Sequence, residues 1–163
     1  QNFCKTTRLT RMEIINLKDA PHHAPTLARW FQSEWGHLNP EKTYDDILDD
    51  LLQCLNEAVV PTLLVGEIDG ELVGSAALIK SDMDSHPELT PWLANVFVRP
   101  EYRGQKLANS LINSICTLAQ QHLLSPIYLF TPNHESFYLK LGWETLSVEP
   151  LNGEDVTLMR RQL

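Results

Sequence analysis

The chain has 163 residues and a formal net charge of −8, with 43% apolar and 21% charged residues. That length supports one domain with a full core, and the acidic balance argues against a general nucleic-acid binder, which needs a basic face to displace counterions. No apolar run approaches the roughly 20 residues of a membrane-spanning helix, so no membrane association is expected.

The opening "QNFCKTTRLTR" is basic but lacks a following apolar stretch, so it does not read as a secretory signal. Residues 1–11 are expected to be a flexible or non-native lead-in to a single domain over 12–163. "MEIINL" (12–17) is rich in β-formers and predicts a first strand. From Leu27 through Trp30, Phe31 and Trp35, large apolar residues recur at helical spacing. "TYDDILDDLLQCLNEA" (43–58) predicts a second helix. Thr43 is its cap, Asp46 stands at the capping-box position, and Ile47, Leu51, Cys54, Leu55 and Ala58 form one apolar stripe.

"TLLVGEIDGELVGSAALIK" reads as two strands around Asp69-Gly70, a hairpin signal. A polar loop follows over 81–91, and then "WLANVFV", apolar enough for a central strand buried on both faces. The next helix carries Leu107, Leu111, Ile115, Leu118 and Ala119 on one side. "IYLF" (127–130) is a further buried strand. A short helix through "HESFYLKL" is expected to end at Gly142, and "WETLSV" and "DVTLMR" close the chain as strands around Asn152-Gly153. The order β-α-α-β-β-β-α-β-α-β-β puts a hairpin ahead of a βαβ crossover, which favours a mixed α/β sheet over a uniformly parallel one.

Cys4, Cys54 and Cys116 are odd in number and widely spaced, and the six histidines make no metal-binding motif. Buried reduced thiols, no metal and a cytoplasmic location are the expectations. The chemistry-bearing stretch is "VFVRPEYRGQKLANSLINS" (96–114). A strand ends at Val98 and a helix is expected from near Gly104, whose unpaired N–H groups and positive dipole end would suit an anion. Arg99, Arg103 and Lys106 add a cluster of positive charge to an acidic chain. Taken alone, this turn fits an anion site or a plain strand-to-helix connection equally well.

The stretch resembles the acyl-CoA-binding motif of the GNAT superfamily of N-acetyltransferases, V-x-P-x-Y-R-G-x-G-x-A-x-x-L. About thirty residues on, "TPNHESFYLKLGWE" resembles the family's second motif, N-x-x-A-x-x-F-Y-x-K-x-G-F. The resemblance implies a GNAT-like α/β (α+β) fold: a mixed, largely antiparallel sheet with a central splayed parallel strand pair and helices on both faces. It also implies direct transfer of an acetyl group from acetyl-CoA, as co-substrate, to the primary amine of a small molecule or peptide. Carried over residue by residue, it puts acyl-CoA on Val96, Phe97 and Val98 and its pyrophosphate on Arg103, Gly104, Gln105, Lys106, Leu107 and Ala108. Thr131 and Asn133 would face the pantetheine arm, and Tyr138 would be the general acid as well as a CoA contact. Homodimers are common in the family.

Two positions depart from the pattern. Lys106 replaces the second glycine of the turn; it is expected within the first helical turn, at an ordinary negative φ, with its ammonium directed to a CoA phosphate. Trp92 and Ala94 stand where many members carry a strand glutamate as general base. Glu88 is therefore the first candidate base, ahead of His86 and Asp84 in its loop, Glu34 and His134. Glu34, Trp35 and Trp92 are candidate acceptor contacts. The alternatives are another acyl donor or acceptor, or an acyl-CoA-binding module with little turnover. A mononucleotide-binding domain is disfavoured because neither G-x-G-x-x-G nor a Walker lysine pattern is present.

Overall fold

The hairpin at Asp69-Gly70 forms, with both residues at positive φ (50° and 80°), and it starts the frame on which the rest is laid. The computed structural model describes residues 11–163; Cys4 and nearly all of the expected lead-in lie outside the described residues. The strands are β1 (Glu13–Asn16), β2 (Thr62–Ile68), β3 (Glu71–Ile79), β4 (Trp92–Val98), β5 (Ile127–Thr131), β6 (Glu144–Leu151) and β7 (Glu154–Arg161). They form a 7-stranded sheet in the order β1-β2-β3-β4-β5-β7-β6. Every neighbouring pair is antiparallel except β4 and β5, the pair joined by the helical crossover.

Helices α1 (Ala24–Trp35) and α2 (Tyr44–Leu52) cover one face of the sheet. There Leu27, Ala28, Phe31 and Leu51 pack on Leu63, Val65, Leu72 and Ala77. Helices α3 (Leu107–Gln121) and α4 (Glu135–Lys140) lie on the other face. Leu111, Ile112, Ile115 and Ala119 pack there on Ala76, Leu78, Leu93 and Leu129. The alternation along β2 and β3 thus feeds two separate apolar layers, which is why these strands read as nearly continuous hydrophobic runs.

The capping box of α2 is complete. Thr43 Oγ1 accepts from the Asp46 N–H at 3.1 Å, and the Asp46 carboxylate accepts from the Thr43 N–H at 2.9 Å. The helix stops at Leu52, six residues before the end that the apolar stripe predicts. Asp49 and Asp50 load its C-terminal end with the wrong charge for the dipole. Beyond it, the Asn56 side chain takes the Ala58 N–H at 2.7 Å and fixes a turn. Cys54 remains buried in the layer despite leaving the helix, and burial pushes its thiol up to about 11.

Helix α4 ends as expected at Gly142. The Gly142 N–H bonds to Leu139 O and the Trp143 N–H to Tyr138 O, both at 3.1 Å, the paired bonds of a Schellman cap. Gly142 takes the left-handed position, φ +92°. No helix among the described residues is long and apolar enough to cross a membrane.

Candidate active site

Strands β4 and β5 share one registered pair, Trp92 with Tyr128, supported by the Tyr128 N–H on Pro91 O at 3.1 Å. Beyond it they part, so the β5-facing backbone groups of Val96 to Val98 have no strand partner. A bulge in β4 sharpens the separation. The register of β3 against β4 slips between Ser75 and Ala77, and Asn95 stands in the left-handed region at φ 53°. Ser75 Oγ, fully buried, donates to Asn95 O at 2.7 Å and fixes the bulge. Gly74 lets the two strands close up just beyond: a Cβ there would lie 2.7 Å from Phe97 O.

The turn after β4 corrects one expectation. Residues 104–106 are not helical, and α3 begins at Leu107 with Lys106 as its N-cap, at φ 60° and ψ 25°. The second glycine position is thus left-handed, a conformation costing an L-residue about 1–2 kcal/mol, and lysine is not free of penalty there. No side chain caps the helix, and its first backbone bond is Ser110 N–H to Lys106 O. The N–H groups of Leu107, Ala108 and Asn109 are left for an external acceptor. Arg103 folds back, its Nε donating to Val98 O at 2.9 Å and its guanidinium over the Phe97 ring at 5.7 Å.

Three cavities follow one another, the first two along the gap. The first, about 490 Å³, is lined by Val96, Phe97, Val98, Arg103, Gly104, Lys106, Leu107, Ala108 and Tyr138, nine of the twelve positions expected to hold acyl-CoA. Gln105 does not line it, and Thr131 and Asn133 line the second cavity instead. That central chamber, about 210 Å³, shares Glu34, Val96, His134 and Tyr138 with the first. The third, a groove of about 830 Å³ between α2 and the end of β3, shares Trp35, Asn39, Asp82 and Asn95 with the chamber. It shares no residue with the first cavity.

Tyr138 stands where the first cavity meets the chamber. Its ring packs edge-on against Phe137 at 5.1 Å and Trp143 at 6.0 Å, and burial pushes its phenol above the ordinary value. Thr131 Oγ1 accepts from the His134 N–H at 3.0 Å and so shapes the turn that presents α4. Over the chamber, His37 Nε2 meets Glu154 Oε2 at 3.2 Å and the Asn152 amide donates to Leu38 O. These contacts tie the segment after α1 to the tip of the β6–β7 hairpin.

Trp92, Glu88, His86 and Asp84 lie elsewhere, lining none of the three cavities. Trp92 is fully buried, donates its indole N–H to Leu89 O at 2.7 Å and packs on Tyr128, so it belongs to the core and not to an acceptor pocket. Glu88 is held by His86 at 3.3 Å, and His86 is itself fixed by Glu149 at 2.6 Å; Glu88 lines none of the three cavities. Asp82, absent from the sequence-based candidates, lines both the chamber and the groove. The surrounding protein mass pushes its carboxyl up to about 7, against the pull of the Lys42 ammonium. The side chain is open to solvent along the groove, and that water moderates the shift. The signal for it was weak: an aspartate in a polar loop, without motif context.

Metal ligands converge at one place among the described residues, where His22, His23 and Glu67 meet beside the start of α1. His23 Nε2 there pairs with Glu67 Oε2 at 2.5 Å, and none of the three lines a cavity of the cleft.

A splayed parallel pair inside a mixed sheet, with a bare helix N-terminus at its mouth, is the scaffold of an acyl-CoA-dependent transferase. The acetyltransferase (GNAT) family matches residues 24–143, and the chain belongs to that family. It is an acyltransferase. Solved structures with the same fold include yncA from Salmonella typhimurium with its cofactor acetyl-CoA, 17% identical, TM-score 0.70, covering 94% of each chain. Another is paia N-acetyltransferase from Thermoplasma acidophilum in complex with coenzyme A, 19% identical, TM-score 0.66, covering 94% of this chain and 99% of that one. A third is aminoglycoside 6'-acetyltransferase type Ii, 21% identical, TM-score 0.70, covering 92% and 96%. At these identities the likeness carries the fold alone. Among curated proteins none matches the sequence.

Proposed function

We propose that the protein is an N-acetyltransferase that moves the acetyl group of acetyl-CoA directly to a primary amine within a ternary complex. The observation that carries this is the run of cavities leading from the β4–β5 gap, in which the first meets the chamber at Tyr138 and the chamber meets the groove at Asp82. The first cavity suits acyl-CoA: the β5-facing groups of Val96 and the Val98 N–H, which have no strand partner, can bond an extended pantetheine arm as an added strand would, beside a Val98 carbonyl held by Arg103. The bare N–H groups of Leu107 to Asn109, with Lys106 and Arg103 nearby, suit its pyrophosphate.

Acetyl-CoA supplies a thioester already activated toward amines. Asp82 takes a proton from the incoming ammonium, directly or through one water, because an amine of pKa about 10.4 is almost fully protonated at neutral pH. A backbone N–H at Phe97 or Val98 stabilises negative charge developing on the carbonyl oxygen. As the N–C bond forms and the C–S bond breaks, Tyr138 donates its phenolic proton to the departing sulfur. Its raised pKa keeps that proton in place until it is needed. Asp82 takes the role first expected of Glu88, for which the cleft offers no place.

The test is coupled. CoA should raise the melting temperature where ATP and NAD do not, and a panel of amines should release free CoA from acetyl-CoA. Stabilisation by CoA without turnover on any amine would make the protein a binding module instead.

A further inference from the structure

The groove beyond the chamber carries a charge pattern that selects among amines. Its walls are apolar where Phe31, Ile47, Leu51 and Ile79 face it, and four charged side chains line it: Lys42, Asp50, Lys80 and Asp82. Lys42 and Asp50 form an ion pair and neutralise each other. Lys80 and Asp82 form no ion pair among the described residues. They stand two positions apart on the segment leaving β3, so their backbones are separated by at most about 7 Å. Asp82 also faces the chamber; Lys80 lines the groove alone.

A free cation and a free anion at that spacing, beside an apolar wall, complement a ligand carrying the opposite charges. The amine would point to Asp82 and the chamber, and an anionic group would meet Lys80, whose side chain can reach back along the groove. A polyamine or an aminoglycoside would instead bring further positive charge against Lys80. We propose, resting on the acetyltransferase reading above, that the acceptor is a zwitterion of the α-amino acid type: a primary amine beside a carboxylate, on an apolar side chain lying along Phe31, Ile47, Leu51 and Ile79.

The experiment compares kcat/KM for leucine and phenylalanine with their amides, spermidine and kanamycin, in wild type, Lys80→Ala and Lys80→Glu. The expected result is a preference for each acid over its amide of about tenfold or more, the scale of one charge-assisted contact. The amide's amine is the weaker base and more of it is deprotonated, which works against this outcome and makes it the more telling. Lys80→Ala should erase the preference and Lys80→Glu should reverse it. The CoA-induced melting shift should stay unchanged, since Lys80 is remote from that cavity.

Preference for spermidine or kanamycin, or an acid-over-amide preference that survives both Lys80 variants, overturns the proposal while leaving acetyl transfer intact. Absence of CoA release with every amine removes the acetyltransferase reading and this one together.

Discussion

The two mouths of the cleft are built in opposite ways. Apart from Glu34, the acyl-CoA side comes from two short continuous segments, 96–109 and 134–138, the first of which runs from strand end through turn to helix start. The acceptor side is assembled from the end of α1, α2, the segment leaving β3, the β4 bulge and a hairpin tip, with a few residues from each. A continuous segment dictates its own backbone and leaves a motif. A dispersed surface depends on how separate elements pack, and it leaves none.

The largest test of this division falls on the residue between the two mouths. Tyr138→Phe keeps both edge-on ring contacts and removes only the proton. CoA release should fall by about 10²- to 10⁴-fold, the usual worth of a positioned general acid, with CoA affinity unchanged by calorimetry. Retention of most of the activity would remove Tyr138 from the reaction.

Asp82→Asn should lower kcat/KM at neutral pH by about 10²-fold and abolish an acid limb near pH 7 in the pH–rate profile. The other titratable groups lining the two cavities that Asp82 lines are Lys42, Asp50, Cys54 and Lys80 in the groove and Glu34, His37, His134, Tyr138 and Glu154 in the chamber. A limb that persists in the variant belongs to one of these. Stability should move the other way. The folded carboxyl is raised toward about 7 and the unfolded one titrates near its ordinary value of about 3.9, so its contribution is complete below pH 4 and is lost as pH rises through the raised value. The variant should therefore melt higher than wild type at pH 8 and level with it at pH 4.

A smaller effect is expected where the sheet is tightest. Gly74→Ala drives a methyl group against Phe97 O and Leu111. It should cost about 1–3 kcal/mol by denaturant unfolding and weaken CoA binding through displacement of β4. Unchanged CoA affinity at reduced stability would mean that the strand absorbs the clash elsewhere.

The smallest effect separates backbone from charge within the turn itself. Lys106→Gly relieves a left-handed residue and should gain about 0.5–1 kcal/mol. The lost ammonium should weaken acetyl-CoA binding at low salt more than at high salt. Equal affinity at both would leave Lys106 with a conformational cost and no electrostatic return.

How far the fold could be read follows from the same division. Asp69-Gly70, Asn152-Gly153, the Thr43–Asp46 box and the Gly142 stop are local devices, and each stands where its residues put it. The strand order was legible through the hairpin and the crossover. The end of α2 was not, because an apolar stripe continues through Cys54 into the layer after the helix has stopped. Nor was the conformation of Lys106, since a turn residue and a first-turn helical residue leave the same letter. Trp92 beside a missing acid invited a pocket role; only packing reveals that its face of β4 is sealed by Met83, Val156 and Leu158. Asp82 went unnoticed because its importance comes from elements far away in sequence.

The bulge at Asn95 works as a change of reading frame within a strand. Before it, Leu93 looks toward α3 and Trp92 toward the opposite layer; after it, Val96 and Val98 look toward α3, and Phe97 meets Trp30 and Trp35 of α1. One residue of insertion shifts odd to even. Straightening the strand with Asn95 kept would impose strict alternation and turn the second half inside out, with Phe97 toward α3 and the two valines toward the tryptophans, whereas deleting Asn95 would leave every facing as it is. The facing of the second half of β4 thus depends on the bulge absorbing Asn95.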